Sequence, residues 1–207
     1  MVPVTSPATA APTPLDQGTG MRATRFWPAI IALGMGGFTI GTTEFVTMGV
    51  LPQIAEGVDV SIPVAGGVIS AYALGVVVGA PVMAFFGAKL PRRGLLVGLM
   101  VAYAVFNAAS ALAPTYEFLL VARFFDGLPH GGYFGVASLV AASMVAPERR
   151  GRAIALVLTG LPIANVVGVP AATWLGQALG WRASYWVVAA LSALTMAMVL
   201  ALSLIHI

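Results

Sequence analysis

The sequence predicts an all-α membrane protein of six transmembrane helices, arranged as a 3+3 inverted repeat. Hydrophobic residues make up 59% of the 207 and charged residues only 8%. From Phe26 onward the apolar residues gather into six stretches, and Lys and Arg collect in alternate connections between them. A soluble domain carries about 25% charged residues. Ten basic and seven acidic side chains cannot cover the surface of one. A water-soluble enzyme and a disordered chain are both excluded; the outer surface faces lipid.

The elements follow in order. Met1–Gly20 is rich in Pro, Ala and Thr with one charge, Asp16, and residues 1–25 are expected to form a disordered cytoplasmic tail. It has no basic start or apolar core of a secretory signal. A bilayer core about 30 Å thick needs about 20 apolar residues per helix. Spans of that order lie at Trp27–Leu51, Pro63–Phe86, Gly94–Ala113, Phe118–Val145, Ala153–Leu175 and Ala183–Ala201, making residues 26–201 one bundle. Two need no adjustment: Val60–Ala88 and Ala153–Trp181 each run 29 residues without a charge. Pro52, Pro91, Pro114 and Pro147 punctuate the connections, where a missing N–H costs little. Such runs do not alternate polar and apolar as barrel strands do.

Orientation follows from the basic residues. Arg22, Arg25, Lys89, Arg92, Arg93, Arg149, Arg150 and Arg152 all fall on one side. The other side has Arg182 alone, beside Glu56, Asp59 and Glu117. This predicts a multi-pass protein of the cell (inner or plasma) membrane with a cytoplasmic N-terminus. The basic residues sit in short loops rather than on one aromatic-interleaved face, so nucleic acid is not an expected partner.

Gly79-x-Pro81-x5-Gly87-x2-Leu90 recurs as Gly168-x-Pro170-x5-Gly176-x2-Leu179, an offset of 89 residues. Either frequent residue types coincide, or a three-helix unit was duplicated. Duplication of an odd number of spans inverts the second copy, a hallmark of secondary transporters. Small residues at four-residue spacing let helices approach closely. Gly37 and Gly41, Gly75 and Gly79, Gly127, Gly131 and Gly135, and Gly160, Ala164, Gly168, Ala172 and Gly176 form such stripes in spans 1, 2, 4 and 5. Spans 3 and 6 are expected at the periphery.

A charge at a helix centre costs roughly 2.5–3.5 kcal/mol on insertion scales, so charges inside spans mark function. Glu44, Arg123 and Asp126 qualify. Glu44 precedes Pro52 by eight residues and Arg123 follows Tyr116 by seven, which puts them about 12 and 10 Å below the same face. They share a depth and could pair. Alternatively Asp126, on one helix face with Arg123 and His130, neutralises Arg123 and leaves Glu44 free to exchange a proton. A purely structural ion pair is the plain alternative; His130, in Pro129-His130-Gly131-Gly132, serves either close packing or a substrate or proton contact. Asn107 and Asn165 read as glue between helices, and Trp27, Tyr116, Trp181 and Trp186 as an aromatic belt. The chain has no Cys and two His. No metal site, phosphate loop or catalytic triad is legible, so neither an enzyme nor a cofactor is expected.

With these residues assembled, the chain resembles the N-terminal half of a major facilitator superfamily transporter. Gly41-Thr-Thr-Glu44-Phe45-Val-Thr-Met-Gly49-Val-Leu51-Pro52 is similar to the opening helix of drug:proton antiporters related to sugar-efflux and chloramphenicol-resistance proteins. Leu119-x3-Arg123-x3-Gly127, His130-Gly131, Phe134-Gly135-Val-Ala-Ser138 and the loop Pro147-Glu-Arg-Arg-Gly-Arg-Ala153 match as well. The resemblance implies half of a twelve-helix fold, with a small-molecule substrate held between two bundles and protons as the coupling ion. It implies that Glu44 is an intramembrane acid on the proton and substrate path and that Arg123 steers proton transfer. Lys89, Arg92 and Arg93 become a gating loop, and Gly168 and Pro170 an antiporter-like motif. Ala88 and Pro91 stand where the superfamily's loop carries Asp and Gly, and Val169 separates Gly168 from Pro170. The expected function is proton-coupled efflux of a sugar or drug-like molecule; a non-transporting membrane interaction or assembly protein is the alternative. The chain is expected to be a truncated half lacking the C-terminal six-helix bundle, with a dimerising half-size protein as the other reading. Leu202–Ile207 resembles the translation of a transposon-end adapter and is read as an artefactual end.

Overall fold

The computed structural model describes residues 17–87 and 89–201, the side chains of 17–25 excepted. It is all α-helical among these residues. In chain order, α1 is Gln17–Gly49, α2 Leu51–Gly57, α3 Ile62–Ala65, α4 Gly67–Gly87, α5 Arg92–Ala111 and α6 Tyr116–Ser143. A 3-10 turn, Pro147–Arg149, leads into α7, Arg150–Leu158, and α8, Gly160–Ile163. A π-helical turn, Ala164–Gly168, joins α8 to α9, Val169–Leu179; α10 is Trp181–Ala201. Residues 1–16 of the expected tail and the end at 202–207 lie outside the described residues. Residues 17–25, expected to be disordered, are instead the first turns of α1.

Five stretches are long and apolar enough to cross a membrane: Phe26–Gly49, Ile62–Gly87, Arg92–Ala111, Pro147–Leu179 and Trp181–Ala201. α6 packs among them with Glu117, Arg123, Asp126 and His130 along its 28 residues. Its start is fixed locally. Thr115 accepts a hydrogen bond from the Phe118 amide at 3.3 Å, and Glu117 sits in the first turn, where a negative charge opposes the helix dipole. The π-helical turn has an equally local cause. Pro170 supplies no N–H for the Val166 carbonyl four residues back, so the helix widens there.

Glycine decides which helices touch. A Cβ on Gly79 would fall 2.7 Å from the Leu128 Cα, and one on Gly75 3.1 Å from the Gly127 Cα. α4 and α6 therefore run parallel, backbone against backbone. α1 meets α7–α9 in the same way: a Cβ on Gly37 would lie 3.7 Å from the Gly160 Cα, and one on Gly168 2.9 Å from the Phe38 ring. α5 and α10 pair antiparallel. Arg93 Nη2 donates to the Leu200 carbonyl at 3.1 Å at one end, and Arg182 Nη2 to the Ala113 carbonyl at 2.9 Å at the other.

Spans 3 and 6 are not peripheral in this fold. The apolar windows of α5 and α10 are each 39% buried, against 22% for Ile62–Gly87 and 28% for Pro147–Leu179. The glycine stripes of α4 and α7–α9 bind through one narrow face each, leaving Val77, Phe85, Phe86, Val166, Val167 and Trp174 exposed. Of these five stretches Phe26–Gly49 is the most buried, at 67%.

Gly79→Leu is expected to force α4 from α6 and to cost about 1–3 kcal/mol, as overpacking does. Thermal melting in detergent measures it, with Gly98→Leu as the control, since a Cβ there meets nothing within 4 Å. Equal melting temperatures for the two variants would contradict the contact.

Candidate functional site

The interior of the bundle is polar at one level. Arg123 and Asp126, one helical turn apart on α6, are fully buried, and Arg123 Nη1 meets Asp126 Oδ2 at 2.6 Å. The attraction between two buried charges offsets their desolvation only when further hydrogen bonds complete the geometry. α5 supplies them. Asn107 Nδ2 donates to Asp126 Oδ1 at 2.7 Å and to the Tyr103 carbonyl at 2.9 Å. Its Oδ1 accepts from Thr43 Oγ1 of α1 at 3.1 Å. Asn107 thus ties α1, α5 and α6 together around the ion pair.

Aromatic rings close the rest of the shell. The Arg123 guanidinium carbon lies 4.3 Å from the centre of the Tyr72 ring and 5.3 Å from that of Tyr185. Both distances suit cation–π attraction. The Tyr185 hydroxyl is 3.1 Å from Thr47 Oγ1 on α1. The Tyr72 hydroxyl is 2.9 Å from that of Tyr103 and 2.8 Å from His130 Nδ1. Arg123 Nε is buried without an acceptor. The network spans α1, α4, α5, α6 and α10 and keeps one donor in reserve.

The residues singled out in the sequence separate into groups. Arg123, Asp126 and His130 join the network, His130 at its margin and in edge contact with Phe134 at 5.6 Å between centroids. Glu44 does not pair with Arg123. Asp126 takes that place because it sits three residues away on the same helix. Glu44 is half-buried and, among the described residues, forms no ion pair. It lies one turn before the exposed Met48, on the less covered side of α1. Lys89 lies between α4 and α5, its Nζ 5.8 Å from the centre of the Phe85 ring, and Arg92 and Arg93 open α5. Gly168 ends the π-helical turn against α1, and Pro170 stands at the start of α9.

Tyr72, Tyr103, Tyr185, Thr43 and Thr47 are site residues that the sequence pattern does not single out. Tyr72, Tyr103, Tyr133 and Tyr185 are all buried, and so is Trp181, 4% exposed, whereas Trp27 and Trp186 stay about half exposed. The legible signal was position: a hydroxyl in mid-span needs a partner. Asn107→Leu removes a donor from Asp126 and an acceptor from Thr43. It is expected to cost about 1–3 kcal/mol, the penalty for stranding a buried polar group. A detergent melting curve unchanged from the parent would remove Asn107 from the network.

Three comparisons bear on this geometry. A family model described as Major Facilitator Superfamily matches residues 33–206. The inner membrane transport protein YdhP of Escherichia coli (strain K12) is 50% identical over 167 residues, 81% of this chain and 43% of that protein. The chloramphenicol resistance protein of Streptomyces lividans is 39% identical over 150 residues, 72% of this chain and 38% of that one. A proton:xylose symporter structure, bound to 6-bromo-6-deoxy-D-glucose, matches with a TM-score of 0.76 at 14% identity, covering 87% of this chain and 45% of the symporter. That last match shows a shared fold. The chain spans about two fifths of the length of these curated relatives.

Proposed function

Because this chain belongs to the major facilitator superfamily, a family of transport proteins and not of enzymes, we propose that it forms the N-terminal six-helix bundle of a proton-coupled exporter. The substrate is a small sugar or drug-like molecule, held near the bilayer midplane between this bundle and a second one. The N-terminus is cytoplasmic, and the protein belongs to the drug:proton antiporter branch.

The single observation that supports this reading most is the division of labour among the three intramembrane charges. Asp126 answers Arg123, so the half-buried Glu44 has no structural cation to hold. An acid kept at membrane depth without a partner is there to exchange protons. The unsatisfied Arg123 Nε supplies a donor for a ligand oxygen or for Glu44 in another state of the cycle. The helix pairings agree with a 3+3 inverted repeat: α4 with α6 corresponds to α7–α9 with α1, and α5 with α10 to itself. The sparsely buried faces of α4 and Pro147–Leu179 suit contact with a second bundle.

A chimera tests the proposal. Residues 26–201 are joined to the remaining length of the Escherichia coli relative, and cells making it are loaded with a panel of labelled sugars and drug-like amphiphiles. Accelerated loss of at least one compound supports export. Loss no faster than from cells making no chimera, across the panel, would favour an interaction or assembly protein instead.

A further inference from the structure

Three contacts run from His130 through two tyrosines to α1. The Tyr72 hydroxyl lies 2.8 Å from His130 Nδ1 and 2.9 Å from the Tyr103 hydroxyl. The Tyr103 hydroxyl reaches the Ile40 carbonyl at 3.4 Å. Each contact needs one proton, and each hydroxyl has only one to give. A carbonyl only accepts, so the Tyr103 proton goes to Ile40. The Tyr72 proton then goes to Tyr103, and the third proton must come from His130 Nδ1. A neutral imidazole with its proton on Nδ1 carries a bare lone pair on Nε2. His130 is half-buried; among the described residues its Nε2 has no partner, and that atom is not enclosed.

The helix faces show what shares this flank. Phe134, one turn further along α6, meets the His130 ring edge-on. A Cβ on Gly37 would lie 3.2 Å from Cε1 of that Phe134 ring. α1 and α6 run antiparallel, since Leu33 accepts from Tyr133 while Thr43 is tied through Asn107 to Asp126. From the Gly37–Phe134 contact, His130 lies about 6 Å along α6 and Glu44 about 10 Å along α1, in the same direction. Gly37 and Glu44, seven residues apart, share a face of α1. His130 and Glu44 therefore border one flank.

We infer that His130 determines specificity by offering Nε2 as a hydrogen-bond acceptor to an O–H or N–H group of the transported molecule. Tyr72 and Tyr103 are positioning residues that fix its tautomer. An alcohol or amine answers the lone pair; an ether of the same shape leaves it unmet. The ligand contact rests on the transport proposal, and the tautomer does not.

Nitrogen-15 NMR of the purified 207-residue chain, labelled at histidine and held at mildly alkaline pH, reads the tautomer. His206, the other histidine, is changed by His206→Asn to leave one ring signal pair. The proton should sit on Nδ1. Tyr103→Phe frees Tyr72 to donate to Nδ1 and should move the proton to Nε2. A proton on Nε2 in the parent, or no change in Tyr103→Phe, would overturn the inference. The chimera then reads the ligand contact, with alcohols from the efflux panel paired with their O-methyl ethers. The alcohol should leave about tenfold faster than its ether, the weight of one hydrogen bond. His130→Asn keeps a donor for Tyr72 but has no Nε2; it should melt like the parent and bring that ratio close to one. An unchanged ratio in His130→Asn, or export only of compounds without O–H or N–H, would overturn the ligand contact. Export of no compound at all would overturn the transport proposal and the ligand contact with it, while the NMR result still decides the tautomer.

Discussion

Asp126→Ala is expected to destabilise the bundle by about 3–5 kcal/mol, the cost of leaving one member of a buried ion pair uncompensated. Arg123 would remain fully buried, against two tyrosine rings and, among the described residues, in no other ion pair. Asn107 would lose its acceptor at the same moment. Arg123→Met alone should cost less, because the carboxylate left behind still accepts from Asn107. Arg123→Met with Asp126→Leu should recover much of the loss, since apolar residues of similar volume often replace such a pair at little cost. A double-mutant cycle by thermal melting in detergent reads the coupling directly. Additive single effects would mean that the 2.6 Å contact carries no energy.

Glu44→Gln is expected to abolish pH-driven accumulation by the chimera while leaving membrane insertion and substrate exchange intact. Gln keeps the shape and the hydrogen-bonding capacity of the acid but cannot take up or release a proton. Exchange of labelled for unlabelled substrate needs no net proton movement, so it isolates coupling from binding. Arg123→Lys should weaken coupling without abolishing it. Lysine retains the charge but loses the planar group that stacks on Tyr72. A Glu44→Gln chimera that still accumulates substrate in response to a pH gradient would show that the coupling group lies elsewhere.

Much of the architecture was legible in the sequence because lipid imposes a coarse code. Long uncharged runs such as Val60–Ala88 leave helix as the natural solution, and the observed span Ile62–Gly87, made of α3 and α4, lies within it. The glycine stripes named the helix faces that touch, although the residue each glycine meets, such as Leu128 for Gly79, is not in the spacing. What they did not convey was how little each stripe buries. Packing through a narrow glycine face leaves the other sides of α4 and α7–α9 open, so the expected ranking of buried and peripheral spans came out differently.

The candidate site was legible in its charges and not in its hydroxyls. Arg123, Asp126 and Glu44 stand out because a charge in a span is costly. Equal depth left Glu44 open as a partner for Arg123, while the three-residue spacing on one helix favoured Asp126, the partner it meets at 2.6 Å. Tyr72, Tyr103 and Tyr185 were hidden by their amphipathic character. A tyrosine at a membrane interface and one donating in the core look alike in sequence. Asn107 was read as glue between helices, which describes its contacts with Thr43 and Asp126.

Proton movement in everted membrane vesicles tests the central claim most directly. Vesicles holding the chimera are energised, and a pH-sensitive dye follows the lumen as a compound identified in the efflux panel is added outside. If Glu44 couples substrate to protons, substrate addition releases protons from the lumen of the parent chimera and not of Glu44→Gln. A substrate flux that leaves the dye signal unchanged in both would contradict it.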